Sequence, residues 1–303
     1  MAFAADTDIW RYQPHAEVWI ILLAAIAMAW YAARIIAPKA APVGESPFAR
    51  HHKLAFVGAM VLLWVASDWP MHDISEEYLY SVHMIQHLLI TLVVPPLIWA
   101  AIPEWLARLA LSGDGSVGVW VRRLARPVAA GLLFNFMVAV SHIPWVVNTS
   151  VESGALHYFV HLLLFASAMA MWLPVCGPIP ELHMREPGKM VYLFLMSVVP
   201  TVPGGFLTFA QGAVYSAYDH DVRLWGIGLQ ADQQAAGLIM KLVGSMYLWT
   251  WIGVLFFRWA GAQQRVNTQM RVVTTVPSGP IAADTRVPAT SGSNGSNSTN
   301  GSR

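Results

Sequence analysis

The chain has 303 residues, of which 56% are hydrophobic and only 12% carry a charge. A soluble globular protein is about 25% charged, so the composition argues against a soluble enzyme, a nucleic-acid binder and a disordered regulator. The formal net charge of +1 gives no field that would attract polyanions. The single cysteine, Cys176, excludes an internal disulfide and a cysteine-cluster metal site. The sequence therefore indicates an integral membrane protein.

Seven apolar stretches are candidates for membrane-spanning helices. Crossing the ~30 Å hydrocarbon layer takes about 20 mainly apolar residues, a length that the second stretch reaches only with its flanks. The alternating pattern of a membrane β-barrel is not found, so we predict an all-α polytopic protein with seven transmembrane helices. The predicted spans are residues 18–36, 54–69, 80–101, 128–143, 156–175, 190–210 and 233–257.

The basic residues predict the orientation of these spans. Lysine and arginine concentrate after spans one, three, five and seven. Because basic residues favour the inner side of the membrane, we expect the N-terminus outside and the C-terminus inside. Residues 1–17 are then an extracytoplasmic segment and residues 18–258 the transmembrane domain. Residues 259–303 become polar and low in complexity, so we expect a disordered cytoplasmic tail.

Two pairs of histidines begin two of the predicted spans. His83 and His87 lie four residues apart in the third span, and His157 and His161 lie four apart in the fifth. Residues at this spacing share one helix face, and all four rings should lie within about two turns of the outer surface. A lone histidine in a membrane helix is often a partner in an interhelical hydrogen bond. Two matched pairs at one depth indicate a metal or cofactor site.

The two pairs belong to an internal repeat. A shift of 74 residues aligns residues 66–89 with residues 140–163, and matches each histidine of one pair with one of the other. We predict that the repeat brings the two faces together. Asp232 and Gln233, at the outer end of the seventh span, should either accept hydrogen bonds from imidazoles or cap that helix. The further candidate ligands or supporting residues at this level are His142, His72, Asp68, Asp232, Gln233 and Met84.

The donor set leaves several cofactors open. Neutral imidazoles suit copper, zinc, iron and nickel, and a thioether such as Met84 would favour Cu(I), although methionine usually serves packing. Haem is the alternative, because one histidine from each of two facing helices could supply both axial ligands of a b-type haem electron carrier. A copper transporter is a third possibility. It is suggested by PTVPGG at residues 200–205, which should interrupt the sixth span and free backbone carbonyls.

Three segments resemble a known family. HMIQHLLITLVVPPLIWAAIP is similar to the third span of the CtaG family, the membrane assembly factors of caa(3)-type cytochrome c oxidase. LHYFVHLLLFASAMAMWLPVCGPIP and ADQQAAGLIM resemble that family's fifth and seventh spans. The resemblance covers roughly residues 50–258, and Lys241 departs from it by standing where an apolar residue is expected.

The resemblance implies a protein of the bacterial inner (plasma) membrane that is not an enzyme and assists the maturation of the oxidase at its copper centres. The two histidine pairs and the segment Asp232, Gln233 and Gln234 stand at the family's matching positions. Copper is the expected metal. The expected partners are cytochrome c oxidase subunits, an extracytoplasmic copper carrier and the lipid bilayer, with no nucleic acid.

Overall fold

Helices make up the regular structure of this protein. A computed structural model describes residues 10–44, 46–111, 118–119, 121, 123, 125–219 and 223–275, and every regular element in those ranges is helical. The all-α prediction is therefore confirmed for this part of the chain. The helices used below are α1 (Ala16–Ala40), α2 (Arg50–Ser67), α3 (Met71–Glu77), α4 (Tyr80–Ala101), α5 (Glu104–Leu111), α6 (Pro127–Ser141), α7 (Pro144–Glu152), α8 (Gly154–Cys176), α9 (Glu186–Val198), α10 (Thr201–Phe209), α11 (Leu229–Leu238) and α12 (Gly244–Thr275).

The described residues contain six helices, or helix pairs, that are long and apolar enough to cross a membrane. They are Ala16–Ala40, Arg50–Glu77, Tyr80–Ala101, Gly154–Cys176, Glu186–Phe209 and Leu229–Gln269. A seventh span is reached only if α6 and α7, which are bent by 71° at their junction, count as one. The predicted number of seven thus depends on a broken helix, and the predicted sides of the two termini stay a prediction.

The internal repeat is visible as a repeated order of helices. In the first half, α2 is followed by the short helix α3 and then by the histidine helix α4. In the second half, α6 is followed by the short helix α7 and then by the histidine helix α8. The aligned prolines, Pro70 and Pro144, stand at the start of the two short helices. Each histidine pair therefore begins a long helix that follows a short one.

A π-helical turn interrupts α4 just below its histidines. The turn covers Leu89–Val93 and is followed by Pro95 and Pro96. A proline has no backbone N–H, so neither residue can donate to the carbonyl of Thr91 four or five positions earlier. Instead, the indole N–H of the fully buried Trp172 on α8 donates to this carbonyl at 3.0 Å. The prolines thus leave a carbonyl free, and the hydrogen bond from Trp172 to this carbonyl joins α4 to α8 just below the histidines.

The sixth span breaks at a shorter segment than expected. We predicted an interruption over residues 200–205, but only Val199 and Pro200 separate α9 from α10, and the remaining residues are helical. The glycines serve close packing instead. A Cβ on Gly237 of α11 would lie 2.5 Å from the carbonyl oxygen of Gly204 on α10, a distance that no side chain can occupy. These two glycines let α10 and α11 touch through their backbones.

The chain divides into two units, residues 1–259 and 260–303. Within the second unit, the described residues continue α12 as a helix to Thr275. Residues 259–275 are therefore helical, which differs from the disordered tail that we expected from composition. The rest of the predicted tail, residues 276–303, and residues 1–9 of the predicted N-terminal segment lie outside the described residues.

Candidate metal centre

Four imidazoles meet between α4 and α8. The ring centroids of His83 and His87 are 4.3 Å apart, and those of His157 and His161 are 4.2 Å apart, as expected for residues one turn apart. Across the two helices, the ring centroid of His83 lies 5.6 Å from that of His157 and 5.4 Å from that of His161. The Nε2 atoms of His87 and His161 are 3.1 Å apart. The structure thus brings together all four histidines that the repeat singled out.

The nitrogen atoms have the spacing of a chelating site. One nitrogen from each of His83, His157 and His161 lies within 4.8 Å of the others. Ligand nitrogens of one tetrahedral ion lie about 3.3 Å apart, because each metal–nitrogen bond is about 2.0–2.1 Å long. The His87–His161 contact already has this spacing. Small rotations of the side chains would direct three or four nitrogens at one ion.

The burial of the four rings also favours a bound group. His83 is 6% exposed, His87 8% and His157 3%, and His161 is half-buried. The Nδ1 atom of His83 and the Nε2 atom of His157 are buried without a hydrogen-bond partner among the described residues. Buried polar atoms are usually satisfied, so these nitrogens have unused capacity to bind.

Asp232 supports the site in a way that we did not predict. Its carboxylate accepts hydrogen bonds from the backbone N–H groups of Tyr80 at 2.7 Å and Ser81 at 3.0 Å. These are the first two residues of α4, whose N–H groups have no partner inside the helix. Among the described residues, Asp232 therefore neither bonds an imidazole nor caps its own helix, which were the two expected roles. It caps the helix that carries His83 and His87.

Gln233 holds a loop over the centre. Its side-chain oxygen accepts from the backbone N–H of Val214 at 2.9 Å, and its amide donates to the carbonyl of Tyr215 at 3.4 Å. The expected bond to an imidazole is again not found within the described part of the chain. This loop supplies two buried tyrosines that contact Tyr80, and Tyr80 stacks on His83 with ring centroids 5.4 Å apart. Gln233 thus acts on the site through aromatic packing.

The loop tyrosines link the two halves of the repeat. Tyr215 donates to the carbonyl of His142 at 3.0 Å, and Tyr218 donates to the carbonyl of Ser75 at 3.1 Å. Burial raises the pKa of Tyr215 to about 12 and the pKa of Tyr218 well above its usual value. Both hydroxyls therefore stay protonated at neutral pH and remain hydrogen-bond donors.

His142 is the candidate supporting residue that most resembles a free ligand. Its Nδ1 lies 2.7 Å from the carbonyl oxygen of Val138, so Nδ1 carries the proton in the neutral ring. Its Nε2 is then an acceptor, and it is buried without a partner among the described residues. The His142 ring centroid lies 6.2 Å from that of His87. His142 could therefore offer a lone pair beside the four-histidine cluster.

Asp68 and Met84 have other surroundings than those expected. Asp68 accepts from the indole of Trp64 at 2.9 Å and from the backbone N–H of His15 at 3.4 Å, with no imidazole among the partners in the described structure. Met84 is 2% exposed and belongs to the apolar core. The structure therefore does not place Asp68 among the ligands, and it places Met84 in the packing role that methionine usually has.

Sequence reasoning missed one carboxylate, Glu76. Its Oε1 lies 2.8 Å from Nε2 of His157 and 3.1 Å from Nε2 of His72, the remaining candidate. The signal was present in the sequence, because His72 and Glu76 are four residues apart in HDISEE and share a helix face.

A small cavity of about 50 Å³ lies below the cluster. His87 and His142 line its upper part, and Pro200 and Thr201 line it at the break between α9 and α10. The break therefore faces a cavity inside the protein, as an irregular segment in a membrane requires. Lys241, at the π-helical turn Ile239–Val243 between α11 and α12, also lines it.

The helices and the cluster together define a multi-pass helical membrane protein with a buried histidine centre. The chain matches the model of the family described as cytochrome c oxidase caa3 assembly factor (Caa3_CtaG) over residues 29–262, and it belongs to this family. The resemblance that we inferred from three segments is confirmed, and the match begins earlier than we expected. Membership of an assembly-factor family implies an association with cytochrome c oxidase. No curated protein and no solved structure matches the chain.

Proposed function

We propose that this protein holds a copper ion at His83, His87, His157 and His161 while cytochrome c oxidase is assembled, and that it passes the ion to the oxidase. The observation that carries the proposal is the convergence of three imidazole nitrogens within 4.8 Å, with a fourth imidazole in contact. Imidazoles bind copper well. Copper is the cargo in this proposal, and the protein is not an enzyme.

The site is suited to temporary binding. Its ligands stand in the first turns of α4 and α8, near the end of the bundle that Asp232 and the tyrosine loop cover. A nearby ligand can replace an imidazole on the metal one bond at a time, so an ion can leave without the protein unfolding. In the orientation that the basic residues predict, this end faces the outside of the plasma membrane. An extracytoplasmic carrier would supply the copper there, and an oxidase subunit would receive it.

The haem alternative is less compatible with the geometry. Two axial imidazoles hold the iron between them, so their coordinating nitrogens lie about 4 Å apart with the porphyrin plane in the gap. The Nε2 atoms of His87 and His161 are only 3.1 Å apart. This contact argues against that pair as axial ligands, and an absorption spectrum of the purified protein would show a Soret band if haem were bound.

Metal analysis of the protein purified in detergent tests the proposal. After loading with Cu(I) and removal of excess metal, we expect about one copper per chain. The variant His87→Ala/His161→Ala should lose it, because it removes the closest pair of nitrogens. Its matched control is His51→Ala/His52→Ala, which alters a second pair of neighbouring histidines at the start of α2 and should keep the copper.

Two results would contradict the proposal: a wild-type chain that binds no copper, and a His87→Ala/His161→Ala variant that retains the wild-type amount. Thermal unfolding of each variant shows whether a loss of copper reflects a loss of fold. Metal uptake into sealed vesicles separates a local donor from a transporter, since only a transporter would accumulate copper in the lumen.

A further inference from the structure

The carboxylate of Glu76 lies against the edge of the four-histidine cluster. Its Oε1 is 2.8 Å from His157 Nε2, and neither atom has another polar partner that completes a well-formed hydrogen bond among the described residues. Two atoms that can each bind a metal thus lie side by side at the edge of the cluster. The contact joins α3 to α8, so it depends on the fold and not on sequence proximity.

Hydrogen bonds through Gln86 hold the His72 ring that lies against this carboxylate. Gln86 accepts from the Ser75 hydroxyl at 2.9 Å and donates its amide to the carbonyl of Ala66 at 2.8 Å. The same amide nitrogen lies 3.3 Å from His72 Nδ1, which must then be the acceptor. In a neutral ring the proton is therefore on Nε2, which faces Glu76 at 3.1 Å.

This assignment makes His72 a positioning residue and not a metal ligand. A ring nitrogen that carries a proton has no lone pair for a metal. His72 Nε2 instead lies 3.1 Å from the Glu76 carboxylate, and the ring packs this carboxylate beside His157. The structure thus revises the expectation that His72 could be an additional ligand, and it directs attention to the carboxylate that His72 orients.

The exposed fractions of the side chains show which residues an ion coming from solvent would reach first. The Glu76 side chain is 26% exposed, whereas the His157 side chain is 4% exposed. A second carboxylate and imidazole lie beside them, since His15 Nε2 is 2.6 Å from Asp73 Oδ1 and the His15 ring is 4.4 Å from that of His72. An approaching cation therefore meets the Glu76 side chain before it meets the buried His157.

We propose that Glu76 is the uptake ligand of the copper site: it binds the arriving ion first and passes it to His157. The inference rests on the proposed function. A carboxylate attracts a cation by its charge, but as a hard oxygen ligand it holds Cu(I) weakly compared with imidazole. The copper–oxygen bond to Glu76 breaks as a copper–nitrogen bond forms to the ring nitrogen of His157 that has a free lone pair. No electron or proton is transferred, and Glu76 returns as a carboxylate to its contact with His72.

The rate of copper loading tests this role separately from the capacity to bind. Purified wild-type protein and the variant Glu76→Gln are mixed with Cu(I) held by a chromophoric chelator, and the loss of the chelate colour is followed by stopped flow. Glu76→Gln should load about tenfold more slowly, because the side chain keeps its size but loses the charge that attracts the ion. It should still reach about one copper per chain at equilibrium.

Two further variants sharpen the test. Glu152→Gln, which removes an exposed carboxylate from the end of α7 on the same side of the bundle, is the matched control and should load at the wild-type rate. Glu76→Asp keeps the charge on a shorter side chain and should recover part of the rate. A purely structural role for Glu76 would change thermal stability and leave the loading rate of the folded protein unaltered.

The outcomes are distinct. If the wild-type protein loads and Glu76→Gln loads equally fast, the uptake role is wrong while the copper site stands. If Glu76→Gln binds no copper at equilibrium, Glu76 is a permanent ligand and the uptake role is also wrong. A wild-type chain that takes up no copper overturns both the proposed function and this inference. Slower loading to the same final amount supports the uptake role.

Discussion

Asp232 caps the helix that Tyr80 begins, although 152 residues of chain separate the two. Its two carboxylate oxygens accept from the backbone N–H groups of Tyr80 and Ser81, so one side chain satisfies two of the free donors of α4. The negative charge also stands at the positive end of the helix dipole. Since His83 follows within one turn, the start of α11 fixes the position of a predicted copper ligand.

Replacing Asp232 by Asn should therefore weaken both stability and copper affinity. The amide has one accepting oxygen and no charge, so one backbone donor loses its partner and the dipole interaction is lost. Loss of a helix cap costs about 1–2 kcal/mol. Unfolding of the purified protein in denaturant and a Cu(I) competition titration measure the two effects. Gln230→Ala, which changes an exposed residue half a turn away, should leave both values unaltered. An Asn variant as stable as the wild type would show that the cap contributes little.

The sequence predicted the histidine centre because its signals are local or periodic. The four-residue spacing places His83 with His87 and His157 with His161 on one helix face, and the 74-residue repeat relates one pair to the other. The helical class followed from the length of the apolar stretches. The contact between His87 and His161 shows that the two histidine faces also meet each other across α4 and α8.

The supporting contacts could not be predicted in the same way. Asp232 finds its partners on a helix far away in sequence, and the partners of Gln233 lie in a loop with no regular pattern. Glu76 carried a local signal through its spacing from His72, but its contact with His157 depends on how α3 packs against α8. The Pro200 break was shorter than expected because glycines tolerate helical geometry when packing favours it.

The contact between Gly237 and Gly204 predicts a strong effect of a single methyl group. In Gly237→Ala the new Cβ would lie 2.5 Å from the Gly204 carbonyl oxygen and 2.6 Å from the Thr208 hydroxyl, so α10 and α11 must separate. Overpacking of this kind costs about 1–3 kcal/mol. Denaturant unfolding of the purified protein should show the loss.

The matched control is Gly253→Ala on α12, where no atom lies within 4 Å of the added Cβ. Here alanine should be neutral or stabilising by up to about 1 kcal/mol, because it is the better helix former. Equal effects of the two substitutions would contradict the view that the two glycines permit backbone contact.

The bond from Trp172 to Thr91 predicts that an indole can substitute for a missing backbone donor. Trp172→Phe leaves the Thr91 carbonyl buried without a partner, because Pro95 and Pro96 cannot supply an N–H. An unsatisfied buried acceptor costs about 1–3 kcal/mol, in addition to the lost packing of the larger ring. Thermal unfolding should detect the change, whereas Trp145→Phe, at a side chain that is 73% exposed, should have little effect.

A double variant separates the hydrogen bond from the packing. Pro95→Ala restores an N–H four residues after Thr91, so Trp172→Phe should cost less stability in the Pro95→Ala background than in the wild type. Such a difference is the coupling free energy of a double-mutant cycle. If the two substitutions are simply additive, the indole acts through its volume and the carbonyl has another partner.

The orientation of the histidine centre is tested by chemical labelling of single cysteines. Both variants are made in a Cys176→Ser background. A cysteine at Gln230→Cys tests the accessibility of the end of the bundle where Asp232 meets α4. A cysteine at Ser46→Cys tests the accessibility of the loop between α1 and α2. Both native side chains are exposed. Because basic residues concentrate beside the second position, a membrane-impermeant maleimide should label intact cells at residue 230 only. Residue 46 should react once the membrane is permeabilised. The reverse pattern would place the imidazoles on the cytoplasmic side, where a carrier outside the membrane could not deliver copper to Glu76 and His157.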